Sequence, residues 1–162
     1  FYDWMSYDII NQDSDIVLIP YGTGHLYENI INVAVRESKS LLFHDKRFKG
    51  STKSIKACNF IGATTNNPNS SADKLYSPHL PFVHFDKRWI QLAVSKGYIG
   101  KNSNVFTVQE KFLDAAMKLA EKNNINCEPS GIAGLALLLQ LKPKLPKNKK
   151  ILIVNTGKTK YN

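Results

Sequence analysis

The sequence predicts an α/β domain: a mostly parallel, open sheet with helices on both of its faces. Short apolar runs, typical of strands covered on both sides, alternate along the chain with segments whose apolar residues recur at helical spacing. Glycine-containing turns follow the first and last apolar runs, at residues 22–24 and 156–157. Ligands of such sheets bind at the carboxyl ends of the strands, so both turns are expected at one crevice.

The first part of the chain predicts one strand between two helical segments. Residues 1–12 mix aromatic side chains with isoleucines and fit the end of a helix. Residues 16–20 form a continuous apolar run, which indicates a strand covered on both faces. After the turn at 22–24, apolar residues at helical spacing predict an amphipathic helix over 26–38.

The middle of the chain contains one further strand, a loop and a helix. Residues 54–62 form a β-like apolar run. Residues 64–81 are polar, rich in Asn, Ser and Pro, and have no clear period, so we predict a long loop there. The segment 86–96 fits a helix that Gly97 ends.

The last third of the chain predicts two helices and two strands. Residues 105–108 form a short strand, and apolar residues at helical spacing follow it over 109–123. Residues 130–141 form a strongly apolar helix that ends before Pro143. The final strand, 151–155, is expected to be buried.

Length and composition fit a single domain over residues 1–162, since 43% of the residues are hydrophobic. No apolar stretch approaches the ~18 residues that would suggest a membrane span, and the start of the chain has no signal-peptide pattern. Cys58 and Cys127 make no disulfide framework, which favours a reducing cytoplasm.

The net charge of +9 raises the question of a nucleic-acid partner. The lysines fall in polar surface stretches and near the C-terminus, and no arginine-rich run interleaves with aromatic residues. We therefore expect a solvated, lysine-rich surface, no nucleic-acid partner and no membrane. The four histidines and two cysteines lack metal-ligand spacing, so no metal site is expected.

The turn Gly22-Thr23-Gly24 connects a predicted strand to a predicted helix. Glycines let the backbone approach an anion closely, and free amides at a helix start favour a phosphate. An ordinary tight turn is the alternative. A dinucleotide-binding motif is not supported, because its third glycine would fall at Tyr27.

The segment Glu128-Pro129-Ser130-Gly131 begins the last predicted helix. Ser130 is expected to cap this helix, and Pro129 fixes its entry. Gly131 and the small residues after it leave room for another backbone or a flat ring, although a tightly packed core helix is the alternative. Glu128 stands beside an apolar run and needs a partner if it is buried.

Taken in order, these segments resemble the fold-type-II pyridoxal-phosphate (PLP) enzymes, the tryptophan synthase beta family. This family includes threonine synthase, threonine dehydratase, serine racemase and cysteine synthase. Its members carry a strand followed by a glycine-rich phosphate loop, then a Glu-Pro-Ser or Glu-Pro-Ala helix start, and a last strand that closes on Ser-Gly or Thr-Gly. Thr156-Gly157 is similar to threonine synthase in particular. The likeness is good over residues 15–37 and 105–160 and poor over 39–101.

The resemblance implies that the chain is the C-terminal portion of the large domain of that fold. It implies that the turn after the first strand holds the cofactor phosphate and that the Thr156 hydroxyl faces the pyridine nitrogen. The implied cofactor-binding residues are Gly22, Thr23, Gly24, His25, Leu26 and Thr156.

The sequence departs from the family pattern in two places. His25 stands where relatives usually have another glycine. The family's Schiff-base lysine lies in a Ser-x-Lys segment before the phosphate loop, but no lysine precedes the loop here, and Ser51-Thr52-Lys53 follows it. We therefore interpret the chain as a fragment that lacks the N-terminal half and the small domain, with no catalytic residue of its own.

The first function hypothesis is part of a PLP-dependent lyase or synthase that performs β- or γ-elimination or replacement on an amino-acid substrate. The second is a non-catalytic binding or assembly module of the same fold that acts with a partner chain. A Rossmann-type nucleotide-binding protein is a third, although no ribose-binding acid is found. Apolar surface left open by truncation predicts a homo-oligomer, or coverage by residues 1–10.

Overall fold

The computed structural model describes residues 2–42, 55, 57–77 and 85–160. Helices and strands alternate along most of the described chain. The helices are α1 (Asp3–Asn11), α2 (His25–Leu42), α3 (Arg88–Ser95), α4 (Glu110–Lys122) and α5 (Ala133–Leu141). The strands are β1 (Ile16–Pro20), β2 (Asn59–Thr64), β3 (Asn104–Thr107) and β4 (Ile151–Ile153). Two 3₁₀ turns lie at Asp73–Leu75 and Lys142–Lys144.

The strands form a single parallel sheet in the order β3-β2-β1-β4. β1 lies in the middle, where Leu18 is opposite Ile61 of β2 and Ile153 of β4. Every residue of β1 is buried, as its continuous apolar run predicts. The predicted fold class, a parallel α/β sheet flanked by helices, is confirmed.

The two faces of the sheet pack against separate hydrophobic clusters. Val17 and Ile19 of β1 lie in the cluster that also contains buried residues of α1, α2 and α3. Leu18 lies in the other cluster, with buried residues of α4 and α5. Side chains alternate between the faces of a strand, so β1 supplies apolar contacts to both layers.

The last strand is the element that differs most from its prediction. Residues 151–155 were expected to be a buried strand, but β4 covers only Ile151–Ile153 and all three residues are half-buried. The reason is its position, because β4 is the border strand of the sheet and pairs only with β1 within the described residues. An apolar run does not distinguish a central strand from one at the edge.

The bounds of three other elements differ from their predicted bounds by a few residues. The β-like run at 54–62 forms a strand only from Asn59 to Thr64, and β3 starts one residue earlier than predicted. α5 begins at Ala133 rather than at residue 130, and Ser130 does not cap it. Its hydroxyl instead accepts a hydrogen bond from the Lys74 amide, so the helix-cap prediction is wrong.

Thr64 is the last residue of β2, and the rest of the loop predicted at 64–81 is irregular in its described part except for the 3₁₀ turn at Asp73–Leu75. Ser71 ties it to the start of α4, because its amide and hydroxyl both donate to Glu110 Oε2, at 3.1 and 3.0 Å. Residues 78–81 of this loop, and the Ser51-Thr52-Lys53 segment, lie outside the described residues.

Candidate functional site

The geometry of the candidate site begins with two adjacent strands. β1 and β4 are neighbours and run parallel, so their carboxyl ends lie at the same edge of the sheet. β1 leads into the turn at 22–24 and then into α2, while β4 leads into Asn155, Thr156 and Gly157. The sheet therefore brings the two predicted site segments to one edge, although well over a hundred residues separate them in sequence.

The turn between β1 and α2 presents backbone donors that the described chain does not use. Thr23 and His25 are exposed, Gly22 and Leu26 are half-buried and Gly24 is buried. No amide from residue 22 to residue 26 donates a hydrogen bond to another described residue, whereas the following Glu28 amide donates to the Gly24 carbonyl. Free amides at the first turn of an 18-residue helix favour an anion.

Two other segments enclose this turn. A Cβ added to Gly22 would lie 3.0 Å from the Lys74 carbonyl oxygen. Gly24 has φ +90°, and a Cβ there would lie 2.8 Å from the Phe85 Cβ and from the Tyr21 ring. Gly24 is therefore required both for space and for its backbone conformation, whereas a side chain at Gly22 would be in tight contact with the Lys74 backbone.

The Tyr21 side chain forms part of the wall beside the turn. Its hydroxyl donates to the Phe85 carbonyl at 3.3 Å, and its ring meets Tyr27 edge-on. Burial, followed by the nearby carboxylates Glu28 and Asp86, raises the pKa of Tyr21 to about 12. Tyr21 is therefore a neutral residue at ordinary pH.

The segment after β4 is held against the segment that leads into α5. The Thr156 amide donates to the Gly131 carbonyl, and the Glu128 amide donates to the Gly157 carbonyl, both at 3.2 Å. A Cβ on Gly131 would overlap the Gly157 carbonyl oxygen, so only glycine permits this approach. These contacts fix the backbone of Thr156, whose hydroxyl is exposed and has no partner among the described residues.

An ion pair connects the loop after β2 to this junction. Lys74 Nζ donates to both carboxylate oxygens of Glu128 at 2.7 Å, and the Lys74 amide donates to Ser130 Oγ. The Thr159 amide and hydroxyl also donate to Glu128, at 3.4 and 3.3 Å. The Lys74–Glu128 clasp, as we name this pair, thus joins the loop, the entry to α5 and the end of the described chain.

The clasp also determines the charge state of Glu128. Burial by itself would raise the pKa of this carboxyl, but the hydrogen bonds from Lys74 and Thr159 outweigh burial and hold the pKa below its usual 4.5. Because the folded-state pKa is lowered, the ionised form stabilises the fold above about pH 4.5, and this stabilisation is lost as the pH falls through the lowered value.

Replacing Glu128 by glutamine is expected to lower the free energy of unfolding by about 1 kcal/mol near neutral pH, because a largely shielded, charge-assisted contact is lost. The difference from the unsubstituted protein should shrink as the pH is lowered below 4.5. Urea unfolding across a pH series measures both. The control is Asp86→Asn at the exposed Asp86–Arg88 pair, where no measurable change is expected. Equal effects of the two substitutions would contradict a specific role for the clasp.

The negative charge of Glu28 would repel an anion bound at this turn. Glu28 lies in the first turn of α2, and its carboxylate is 3.5 Å from His25 Nδ1. His25 occupies the position at which the sequence departs from the family pattern, and it is exposed beside the turn.

Some of these contacts could be predicted from the sequence, and others could not. The room left by Gly131 is used by another backbone, that of Gly157. Glu128 has the partner that a buried carboxylate needs, but no local sequence pattern indicated Lys74, which is 54 residues away.

Within the described ranges, no group of three or more His, Cys, Asp or Glu side chains could hold a metal. No helix in the same part of the chain is long and apolar enough to cross a membrane.

No protein-family model matches the sequence, and no curated protein sequence matches it. Solved structures do match the fold. The threonine deaminase of T.th. has a TM-score of 0.66 and 16% identity, and the match covers 99% of this chain and 53% of that one. The serine racemase of Dictyostelium discoideum has a TM-score of 0.60 and 20% identity, covering 99% and 49%.

A third match is the fungal L-serine ammonia-lyase of Rhizomucor miehei, with a TM-score of 0.59 and 15% identity, covering 98% of this chain and 51% of that one. Likenesses at such identities concern the fold alone. They agree with the parallel α/β architecture predicted from the sequence. The chain therefore shares the fold of these three amino-acid enzymes over nearly all of its own length, and it spans about half of theirs.

Proposed function

We propose that this chain is the part of a fold-type-II PLP-dependent lyase or synthase that binds the cofactor phosphate and faces the pyridine nitrogen. The observation that carries the proposal is that two sets of unused hydrogen-bonding groups lie at the same edge of the sheet. These are the free amides at the start of α2 and the free hydroxyl of Thr156, which follow adjacent parallel strands.

The turn after β1 fits a phosphate. Its amides have no acceptor in the described chain, and the positive end of the α2 dipole lies at the same place. Gly22, Thr23, Gly24, His25 and Leu26 are the residues that we assign to the phosphate, with the Thr23 hydroxyl as a further donor. Lys74 and Phe85 limit the space beside this turn and would restrict how far the phosphate can move.

Thr156 fits the other end of the same ligand. A neutral hydroxyl can donate to an unprotonated ring nitrogen, whereas a carboxylate would favour the protonated ring. The hydrogen bond from the Thr156 amide to Gly131 fixes the backbone from which this hydroxyl projects. The chain would thus orient the ring and tune its nitrogen, which are the protein's tasks in such enzymes.

PLP supplies an electron sink for reactions at the α-carbon of an amino acid. We assign to the intact enzyme a β- or γ-elimination or replacement of the threonine synthase type, in which this chain binds and orients the cofactor. The lysine that would hold the cofactor covalently and move protons is assigned to a segment outside this sequence. Cytoplasmic location, an amino-acid substrate and a homo-oligomer belong to the same proposal.

A non-catalytic binding or assembly module of the same fold is the second candidate. A longer reading frame with Ser-x-Lys upstream would favour the enzyme, and a longer frame without it would favour the module.

The isolated chain is expected to show no PLP-dependent turnover, because no lysine lies where the resemblance places one. The chain is incubated with PLP, reduced with borohydride and mapped by mass spectrometry. Scattered, substoichiometric labelling of surface lysines is the expected result. A single stoichiometric adduct together with turnover of an amino acid would overturn the assignment of the lysine to another segment.

A further inference from the structure

We propose that Lys74 and Glu128 are positioning residues, which hold the Thr156 segment at the distance from the turn after β1 that one phosphate-bearing ring ligand spans. The inference deepens the proposed function and rests on it. Lys74 lies within residues 39–101, where the likeness to the family is poor, so the resemblance assigns it no role. The two ends of the ligand site belong to separate segments of the chain, and the Lys74–Glu128 clasp contacts both.

The backbone of Lys74 forms the contact with the turn. Its carbonyl oxygen would lie only 3.0 Å from a Cβ added to Gly22, so it packs directly against the turn. The Lys74 amide donates to Ser130 Oγ at 3.2 Å, which ties the same backbone to the entry of α5. A shift of Lys74 would therefore move the surface against which the turn packs.

The side chain of Lys74 forms the contact with Glu128. Its Nζ donates to both carboxylate oxygens at 2.7 Å, and the two side chains are only 31% and 20% exposed. A charge-assisted contact that is partly shielded and engages both oxygens is stronger than an exposed ion pair. The pair therefore fixes the position of Glu128 relative to the turn.

Glu128 in turn contacts the segment that carries Thr156. The Glu128 amide donates to the Gly157 carbonyl, and the Thr156 amide donates to the Gly131 carbonyl. The Thr159 amide and hydroxyl donate to the Glu128 carboxylate. The segment after β4 is thus held against the entry to α5, and the clasp holds that entry against the turn.

A positioning role predicts a difference between two ligands that a purely structural contact does not. Pyridoxine 5′-phosphate would reach both the turn and Thr156, so its affinity depends on the spacing between them. Inorganic phosphate would occupy the turn alone. Loss of the spacing should therefore weaken the ester and spare phosphate, and one lost hydrogen bond between neutral groups corresponds to about fivefold in affinity.

The test titrates the full 162-residue chain with both ligands and follows the amides by NMR. Lys74→Met and Glu128→Gln should each weaken the ester about fivefold, remove its shift at Thr156 and leave phosphate within about twofold. The two substitutions change the net charge in opposite directions, so a long-range electrostatic effect would change the affinities in opposite directions. Lys74→Arg keeps a bidentate contact with the carboxylate and should bind both ligands as the unsubstituted chain does. Opposite effects of the first two variants, or equal losses for the two ligands, would overturn the proposal.

A second substitution, Thr156→Val, measures the coupling directly. It should weaken the ester about fivefold in the unsubstituted chain but less than twofold in the Lys74→Met background, because the hydroxyl is already out of position there. The control background is Asp3→Asn at the exposed Asp3–Arg36 pair, where the fivefold effect of Thr156→Val should persist. Equal losses in the unsubstituted and Lys74→Met backgrounds would overturn the positioning role.

Hydrogen exchange of the unsubstituted chain gives a readout that does not depend on a variant folding. Because coupling is reciprocal, the ester should slow exchange of the Lys74 amide about fivefold, whereas phosphate should change it less than twofold. Unchanged exchange at saturating ester, with shifts at the turn, would overturn the positioning role alone. If neither ligand shifts the amides from Gly22 to Leu26, the proposed function itself fails, and this inference fails with it.

Discussion

Replacing Gly24 by alanine is expected to lower the free energy of unfolding by about 3 kcal/mol, because it combines backbone strain with crowding. Gly24 has φ +90°, and a Cβ there would lie 2.8 Å from the Phe85 Cβ and the Tyr21 ring. Thermal unfolding should show a fall of roughly 10 °C for a chain of this size. The substitution should also disturb the turn that we assign to the phosphate.

Gly97→Ala is the matched control for this substitution. Gly97 also has a positive φ, +69°, but nothing lies within 4 Å of a Cβ built there. Only the conformational cost of about 1 kcal/mol is therefore expected. The difference between the two variants measures the crowding at the turn, and equal losses of stability would show that Phe85 and Tyr21 do not enclose Gly24 closely.

Replacing Gly131 by alanine is expected to cost about 2 kcal/mol and to displace Thr156, since the new Cβ would overlap the Gly157 carbonyl oxygen. The Thr156 amide donates to the Gly131 carbonyl, so a shift of either backbone should break this bond. Denaturant unfolding measures the loss of stability, and faster hydrogen exchange of the Thr156 amide reports the lost bond.

The control for this junction is Gly157→Ala. Gly157 has φ +84° and no atom within 4 Å of a built Cβ, so its substitution introduces strain without crowding, at about 1 kcal/mol. A Gly131→Ala protein as stable as the unsubstituted one, with normal protection at Thr156, would contradict the close approach between the entry to α5 and the segment after β4.

Elements that depend on consecutive residues could be predicted from the sequence. The continuous apolar run of β1, the glycine turn and the amphipathic start of α2 are consecutive in sequence, and the structure has them in that order. The helix predicted over 109–123 ends within one residue of the observed end of α4 at Lys122, and Asn124 just beyond it has a positive φ of 56°.

Features that depend on distant partners were not predictable in this way. Whether the run at Ile151–Ile153 is central or at the edge depends on which strands lie beside it, and the run itself does not contain that information. Ser130 was expected to cap a helix, but its hydroxyl bonds the Lys74 amide, 56 residues away, and α5 starts three residues later. Lys74 itself stands in a polar loop sequence that has no periodic signal.

The central claim is that the turn after β1 binds the phosphate while Thr156 faces the ring of the same ligand. The most direct measurement is an amide NMR titration of the chain with pyridoxine 5′-phosphate, which cannot form a Schiff base, and with pyridoxine as the control lacking phosphate. The account predicts shifts of the amides from Gly22 to Leu26 and of Thr156 with the phosphate ester, and no shifts in the turn with pyridoxine. Shifts elsewhere, or an unchanged turn at saturating ligand, would contradict it.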